Sequence, residues 1–147
     1  MNLQMDGRKA DNYSSNAQKI RVITEDWVNN NMFCPYCGNK YVSHFENNRP
    51  VADFFCPSCK EEYELKSKGA SISNKINDGA YNTMIERITS INNPNFFFMH
   101  YNKISLQIEN FVMVPKYFFS PDIIEKRKPL AETARRAGWT GCNILLN

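Results

Sequence analysis

Two C-x-x-C pairs constrain the fold of this 147-residue chain more than any other feature of its sequence. The first pair is Cys34 and Cys37, the second is Cys56 and Cys59, and 18 residues lie between the pairs. Two residues between thiolates allow both sulfurs of a pair to reach one tetrahedral ion, a spacing typical of four-thiolate Zn²⁺ sites. Because such a site has no open coordination position, we expect a structural metal that orders residues 34–59.

Other interpretations of the cysteines remain open at this stage: two disulfides, a pair of redox motifs, or ordinary buried cysteines. Residues 1–15 are polar and lack the apolar stretch of a secretory signal, so we expect a cytoplasmic protein. Disulfides are rare in the cytoplasm, and neither pair lies in a recognisable β-α-β pattern. The fifth cysteine, Cys142, has no partner motif and is predicted to be a core residue.

The composition is that of one globular domain. Hydrophobic residues make up 42% of the chain and charged residues 22%, which is too apolar for a disordered protein. No apolar run approaches the roughly 18 residues of a membrane-spanning helix, so no membrane partner is expected. The first 13 residues are polar and are predicted to form a flexible N-terminus.

Periodicity predicts a mixed succession of helices and strands. One helix begins at Ser14 or Ser15 and ends at residues 29–31, and a second begins at Asp78 or Gly79 and ends at residues 92–94. Strands are predicted at residues 51–55, 62–66, 96–101, 104–114 and 143–146, with a loop at 69–77 and a short helical turn at 118–125. This order favours an α/β or α+β fold with a mixed sheet and flanking helices.

Three charged residues surround the second cysteine pair. Asp53 lies three residues before that pair, and Glu64 and Lys66 follow it on one face of a strictly alternating strand. If the flanking strands form a hairpin, Asp53 and Glu64 converge, and two converging carboxylates favour a hard cation such as Mg²⁺. Lys66 would then orient a water and offset charge on a phosphate, which suits phosphodiester hydrolysis. The alternative is that these residues form only a solvated strand face.

The excess positive charge lies in the last third of the chain. Residues 1–100 contain 11 Lys/Arg and 11 Asp/Glu, whereas residues 101–147 contain 7 and 4, which accounts for the net charge of +3. The basic residues are densest at 126–128 and at 135–136. A local basic patch of this kind can bind phosphates, and a solvated surface loop is the alternative.

Longer strings in the chain resemble a known family. Pro50-Val51-Ala52-Asp53, followed after ten residues by Glu64-Leu65-Lys66, resembles the PD-(D/E)xK nuclease signature. Four strings are similar to those of the DpnI-type methyl-directed restriction endonucleases: HFENNRPVADF at 44–54, INDGAY at 76–81, NNPNFFF at 92–98 and TARRAGW at 133–139. The resemblance extends from about residue 14 to the end of the chain, and the four cysteines stand at the matching places.

The resemblance implies a type II restriction endonuclease that cleaves double-stranded DNA at GATC sites whose adenine is N6-methylated. It implies a PD-(D/E)xK nuclease domain over residues 14–147, with an embedded zinc ribbon at 34–59 and with Mg²⁺ as the hydrolytic metal. We expect the protein to act as a monomer. Family members continue with further nuclease elements and a winged-helix domain that also reads methylated DNA, so this chain is expected to be C-terminally truncated.

Roles for the charged triplet follow from the same resemblance. Asp53 and Glu64 would bind Mg²⁺, and the carbonyl of Leu65 would add a ligand. Lys66 would serve the attacking water. In this interpretation the four cysteines hold Zn²⁺ and take no part in hydrolysis.

Roles in DNA recognition also follow from the resemblance. Trp139 is similar to an aromatic residue placed at the methylated bases, and a core tryptophan is the alternative. Arg135 and Arg136 would hold phosphates or read base edges. These residues stand in a basic segment next to Gly138 that we expect to be flexible.

Two other functions remain open from the sequence. A zinc-ribbon module could bind methylated DNA without cutting it, in which case Glu64→Ala would change nothing. An inactive remnant would fold but bind no DNA. The intact Asp53, Glu64 and Lys66 favour the enzyme, whereas the missing C-terminal elements favour the other two functions.

Overall fold

A computed structural model describes residues 1–46, 52–71, 73–91 and 93–146. Pro50 and Val51 of the predicted nuclease signature lie outside the described residues, as does Asn92 at the predicted end of the second helix. The chain forms two units. One comprises Met1–Ser71 with Pro94–Val114, and the other comprises Ile72–Asn93 with Pro115–Asn147.

The described residues form helices, strands and short 3₁₀ turns. The helices are α1 (Asn16–Asn31) and α2 (Tyr81–Thr89). The strands are β1 (Ser43–His44), β2 (Phe54–Phe55), β3 (Glu62–Lys68), β4 (Lys75–Ala80), β5 (Asn95–Tyr101), β6 (Ile108–Val114), β7 (Ile124–Lys126) and β8 (Gly141–Leu145). A mixed sheet with helices confirms the predicted α+β class. Neither helix is long and apolar enough to cross a membrane, as far as the described part of the chain extends.

Helix α1 lies where the sequence predicts it. Ser15 is its N-cap, and the Ser15 hydroxyl accepts a hydrogen bond from the Gln18 amide, one of the amides that a first helical turn leaves unpaired. Ile23, Trp27 and Val28 are buried. The helix therefore contributes one apolar face to the core of the first unit.

A five-stranded sheet in the order β1-β2-β3-β5-β6 builds the first unit. Strand β5 is buried along its whole length, because β3 pairs with it in parallel on one side and β6 antiparallel on the other. Tyr63 of β3 stacks on Phe97 of β5, with ring centroids 4.6 Å apart. Strands β2 and β3 pair antiparallel with Phe54 opposite Tyr63, so the hairpin on which the convergence of Asp53 and Glu64 was conditional is present.

The first 13 residues, predicted to be flexible, are packed in the structure. Met5 and Ala10 are buried, and residues 7–10 form a 3₁₀ turn. The indole N–H of Trp27 donates a hydrogen bond of 2.7 Å to the carbonyl of Asn2. This segment is ordered by partners distant in the sequence, so no local periodicity could indicate its burial.

A three-stranded antiparallel sheet in the order β4-β8-β7 builds the second unit. Ile76, Ile144 and Ile124 stand at facing positions in the three strands, and all three are buried. Met84 and Ile88 are the buried residues of α2. These side chains give the second unit its own apolar interior.

The second unit departs from the sequence prediction at several places, of which three affect the order or bounds of its elements. The predicted loop at 69–77 ends in β4, which begins at Lys75. Helix α2 begins at Tyr81 rather than at Asp78 or Gly79, because those two residues belong to β4. The predicted turn at 118–125 is divided into two 3₁₀ turns, Lys116–Phe118 and Pro121–Ile123, before β7.

Candidate functional site

The four predicted metal ligands form a compact cluster in the first unit. All four Sγ atoms lie within 4.8 Å of one another, with 3.7 Å between those of Cys34 and Cys59 and 3.6 Å between those of Cys37 and Cys56. Zinc–thiolate bonds of about 2.3 Å place neighbouring sulfurs of a tetrahedron about 3.8 Å apart. The cluster is therefore compatible with Zn²⁺. None of these four cysteines forms a disulfide in the structure, which contradicts the disulfide alternative.

Each C-x-x-C pair is held by the same backbone turn. The amide of Gly38 donates to the carbonyl of Cys34, and the amide of Lys60 donates to that of Cys56, both at 2.9 Å. The amide of each first cysteine donates to the carbonyl five residues further on, at 2.8 Å in both turns. Gly38 and Lys60 both have positive φ, +79° and 68°. Glycine is the residue that such a conformation favours, so Gly38 fits the first turn, whereas a lysine at the equivalent position of the second turn gives no such signal in the sequence.

Tyr63 and the sulfur atoms form a buried polar contact. The Tyr63 hydroxyl lies 3.0 Å from Sγ of Cys34. Burial raises the pKa of Tyr63, so its hydroxyl stays protonated and can donate a hydrogen bond to a Cys34 thiolate. Burial, together with the neighbouring sulfurs of Cys37, Cys34 and Cys56, raises the pKa of the Cys59 thiol to about 12. Four thiolates at this point therefore need the positive charge of a cation such as Zn²⁺.

The hairpin of β2 and β3 brings the predicted charged triplet together. Oδ2 of Asp53 accepts a hydrogen bond of 2.7 Å from the amide of Leu65. The Asp53 carboxylate is thus bound to the residue that separates Glu64 from Lys66 in β3. Nζ of Lys66 lies 3.1 Å from Oε1 of Glu64. The side chains of Glu64 and Lys66 are only 12% and 24% exposed, so they are not a freely solvated strand face. The predicted ligand role of the Leu65 carbonyl stays a prediction.

Asp53 carries an electrostatic strain that a cation would relieve. Burial raises the pKa of the Asp53 carboxyl, and the negative charges of Glu64 and Glu25 raise it further. The Leu65 amide and the positive charge of Lys66 act in the opposite direction. Carboxylate oxygens are the ligands that Mg²⁺ prefers, so the donor atoms present fit this metal. Asp53 and Glu64 are the residues that would hold it.

Helix α1 contributes a second layer of charge that the sequence analysis missed. Oε2 of Glu25 lies 2.7 Å from Nε2 of His44, and Oε1 of Glu25 accepts a 3.0 Å hydrogen bond from Nε of Arg21. The His44 ring packs edge-on against Phe54, with centroids 5.2 Å apart. Glu25 is therefore fixed on the Asp53 side of the hairpin. The proximity of Glu25 to Asp53 follows only from the packing of α1 against β1, because the two residues are 28 positions apart in the chain.

The predicted DNA-binding residues lie in the second unit, in a segment that leads into β8. The amide of Leu130 donates to the Trp139 carbonyl at 2.9 Å, and the amide of Gly138 donates to the Leu130 carbonyl at 3.1 Å. Two backbone hydrogen bonds thus connect Leu130 with residues 138 and 139 of the segment that was expected to be flexible. Arg135 and Arg136 are exposed, whereas Trp139 is half-buried. Cζ of Arg136 lies 4.7 Å from the centre of the Trp139 ring.

Comparison with known families agrees with the resemblance of the sequence strings. The family model named DpnI and described as the Dam-replacing family matches residues 1–147. This match covers both units, the four cysteines, the charged triplet and the basic segment. It confirms the DpnI-type resemblance that the sequence alone suggested, and the chain therefore belongs to the Dam-replacing (DpnI) family.

Proposed function

We propose that this protein is a Mg²⁺-dependent endonuclease that hydrolyses double-stranded DNA at GATC sites carrying N6-methyladenine. Membership of the Dam-replacing family supports a methylation-dependent function of the restriction type. The observation that carries the chemical part is the juxtaposition of Asp53, Glu64 and Lys66 on one hairpin. Two half-buried carboxylates with a lysine beside them form the core of a PD-(D/E)xK site.

The protein's own groups have distinct roles in this proposal. The Leu65 amide fixes Oδ2 of Asp53, so Asp53 and Glu64 present oxygens in a defined orientation to the metal. Bound Mg²⁺ supplies Lewis-acid polarisation of the scissile phosphate. Lys66, held 3.1 Å from Glu64, orients the attacking water and offsets the negative charge that develops on the phosphate oxygens.

The four-cysteine cluster has a structural role in the same proposal. Its second pair lies in the connection between β2 and β3. Asp53 directly precedes β2, and Glu64 and Lys66 belong to β3. Zn²⁺ held by the four thiolates fixes the length and direction of this connection. The position of Asp53 relative to Glu64 therefore depends on an intact cluster.

The basic segment supplies contacts to DNA. Arg135 and Arg136 are exposed and can bind phosphates or base edges as planar, permanently charged groups. Trp139 presents an apolar ring, which suits contact with the methyl group of N6-methyladenine. Because phosphate contacts of basic residues release counterions, the affinity for DNA should fall as the salt concentration rises.

The test is cleavage of adenine-methylated and unmethylated plasmid in Mg²⁺ at low salt. We expect cutting of the methylated plasmid alone, and a loss of at least about 100-fold in Glu64→Gln and in Lys66→Ala, the scale of a lost catalytic group. Glu62→Gln and Lys68→Ala are matched controls, because they change the same residue types on β3. Glu62 lies two residues before Glu64, and Lys68 lies two residues after Lys66.

Failure would take one of three recognisable forms. Cutting of both plasmids would contradict the methyl dependence. Binding of methylated duplex without cutting, unchanged in Glu64→Gln, would show a reading module rather than a nuclease. Absence of both binding and cutting would show that this chain performs neither function.

A further inference from the structure

Two guanidinium groups lie over the ring of Trp139. Cζ of Arg136 is 4.7 Å from the ring centroid and Cζ of Arg127 is 5.6 Å from it. Arg136 lies three residues before Trp139 in the chain, whereas Arg127 directly follows the end of β7. Cations over an indole ring are attracted by its quadrupole. The sequence suggested Arg127 only as part of a phosphate-binding patch at residues 126–128.

The two arginines differ in how firmly they are held. Arg127 is half-buried, and its amide donates a 3.0 Å hydrogen bond to the carbonyl of Gly141 at the start of β8. Its Nη2 is 3.5 Å from the carbonyl of Asp78. Its Nε is buried and has no hydrogen-bond acceptor in the described part of the chain, so the indole is a favourable neighbour for this cation. Arg136 is exposed.

The backbone fixes the Trp139 main chain but leaves its ring to be placed by neighbours. The Trp139 amide donates to the Arg136 carbonyl at 3.0 Å, and its carbonyl accepts from Leu130 at 2.9 Å. Gly138, with a φ of +81°, precedes it. Of the two guanidinium groups over the ring, that of Arg127 has a hydrogen bond to the backbone of β4, at the carbonyl of Asp78.

We propose that Arg127 is a positioning residue that holds the Trp139 ring in its DNA-reading orientation, and that Arg136 exchanges this ring for a DNA phosphate. The inference rests on the proposed function. An exposed cation–π contact is weak, whereas a guanidinium–phosphate pair is a charge-assisted, bidentate contact. DNA therefore draws Arg136 from the indole, while Arg127 stays in place because its amide is bonded to the carbonyl of Gly141 and its Nη2 to the carbonyl of Asp78.

The two roles predict different losses in binding. Arg127→Lys keeps the charge but removes the planar group, so it should lower the preference for methylated over unmethylated GATC duplex about fivefold, the scale of one cation–π contact. Affinity for unmethylated duplex should stay within about twofold, because no phosphate contact is lost. Arg136→Ala should instead weaken both duplexes alike and reduce the salt dependence by about one phosphate.

The experiment combines fluorescence anisotropy of both duplexes with the emission of Trp139 in the DNA-free protein. That emission is the difference between the parent chain and Trp139→Phe, since Trp27 is the other tryptophan. We expect the emission to shift in Arg127→Lys and in Arg127→Gln, but not in Arg135→Ala. Arg127→Gln serves as the second variant if Arg127→Lys does not fold.

The outcomes separate this inference from the proposed function. If the parent chain prefers methylated duplex but Arg127→Lys keeps both that preference and the emission, the positioning role is overturned and the function stands. If the parent chain binds both duplexes equally, the proposed function is wrong, and the positioning role of Arg127 is wrong with it. Equal effects of Arg127→Lys on both duplexes would assign Arg127 to phosphate binding instead.

Discussion

The hydroxyl of Tyr63 lies 3.0 Å from Sγ of Cys34, while the carbonyl of Tyr63 accepts a 3.0 Å hydrogen bond from the amide of Asp53. One residue of β3 thus contacts the cysteine cluster with its side chain and the candidate Mg²⁺ ligand Asp53 with its backbone. Its ring also stacks on Phe97 of the central strand. The cysteine cluster and the hairpin that positions Asp53 are therefore connected through one buried residue.

Replacement of Tyr63 by Phe should weaken metal binding without removing a ligand. The lost hydrogen bond to the Cys34 thiolate belongs to the outer layer of the site, where such losses cost about 10-fold or more in metal affinity. The measurement is a Co²⁺ titration in competition with a chelator, because tetrahedral Co²⁺–thiolate absorption reports the site directly. Tyr101→Phe is the matched control, since Tyr101 is also buried. Equal Co²⁺ affinities for the two variants would contradict a role of the hydroxyl.

Loss of a cysteine ligand should make stability independent of zinc. At Zn²⁺ a thousandfold above its dissociation constant, binding to the folded state adds about 4 kcal/mol to the free energy of unfolding. Cys34→Ser should lose most of this response in thermal unfolding with and without a chelator. Cys142→Ser is the control: Cys142 is equally buried, and a buried hydroxyl there should cost about 1–3 kcal/mol. Its zinc response should nevertheless stay intact, and loss of that response would argue against the four-cysteine site.

The sequence predicted the parts of the site that depend on spacing within one segment. The two cysteine pairs indicated the cluster, and strict alternation placed Glu64 and Lys66 on one strand face. Asp53 joined them because a hairpin with a short connection leaves few other arrangements. In each case the geometry follows from the period of the backbone, which local sequence expresses directly.

The parts that the sequence did not predict depend on contacts between distant segments. Strand β4 pairs Lys75 with Leu145, and Ile76 is its one buried residue, so no alternating apolar pattern marks it. Glu25 is one of several acidic residues in the chain, and only the packing of α1 places it near Asp53. The contact of Arg127 with Trp139 likewise requires β7 and β8 to be neighbours.

Asp53→Asn should stabilise the protein when zinc is present but Mg²⁺ is absent. Burial raises the pKa of Asp53 in the folded state, so the ionised carboxylate is less favourable there than in the unfolded chain. The gain from Asn should therefore appear as the pH rises past the ordinary aspartate value of about 4 and become constant above the folded-state pKa. Urea unfolding at pH 3 to 8 measures this difference.

Mg²⁺ provides the control for the Asp53 experiment. If Asp53 and Glu64 hold Mg²⁺ as proposed, added Mg²⁺ should raise the unfolding midpoint of the parent chain, because a ligand of the folded state stabilises it. It should leave the midpoint of Asp53→Asn nearly unchanged. A Mg²⁺ response of the same size in both proteins would place the metal elsewhere, and a stability difference independent of pH would contradict the electrostatic origin.

The two cysteine turns should respond in opposite ways to substitutions at their left-handed positions. A Cβ at Gly38 would meet no atom within 4 Å, so Gly38→Ala should cost about 1 kcal/mol through the left-handed backbone conformation alone. Lys60 already bears that cost at a φ of 68°. Lys60→Gly relieves it, but the greater freedom of glycine in the unfolded chain offsets part of the gain, and the 2.8 Å hydrogen bond from Nζ to the Pro57 carbonyl is also lost.

The comparison that isolates this effect is Gly38→Ala against Gly79→Ala in urea unfolding. A Cβ at Gly79 also meets no atom within 4 Å, but Gly79 is not among the glycines with positive φ. Gly79→Ala should therefore be neutral or slightly stabilising, because alanine restricts the unfolded chain. If both substitutions have the same effect, the left-handed conformation is not what requires glycine at position 38. A destabilising Lys60→Gly would show that the hydrogen bond from Lys60 to Pro57 outweighs the backbone strain. The second turn would then be stabilised by a side-chain contact that the first turn lacks.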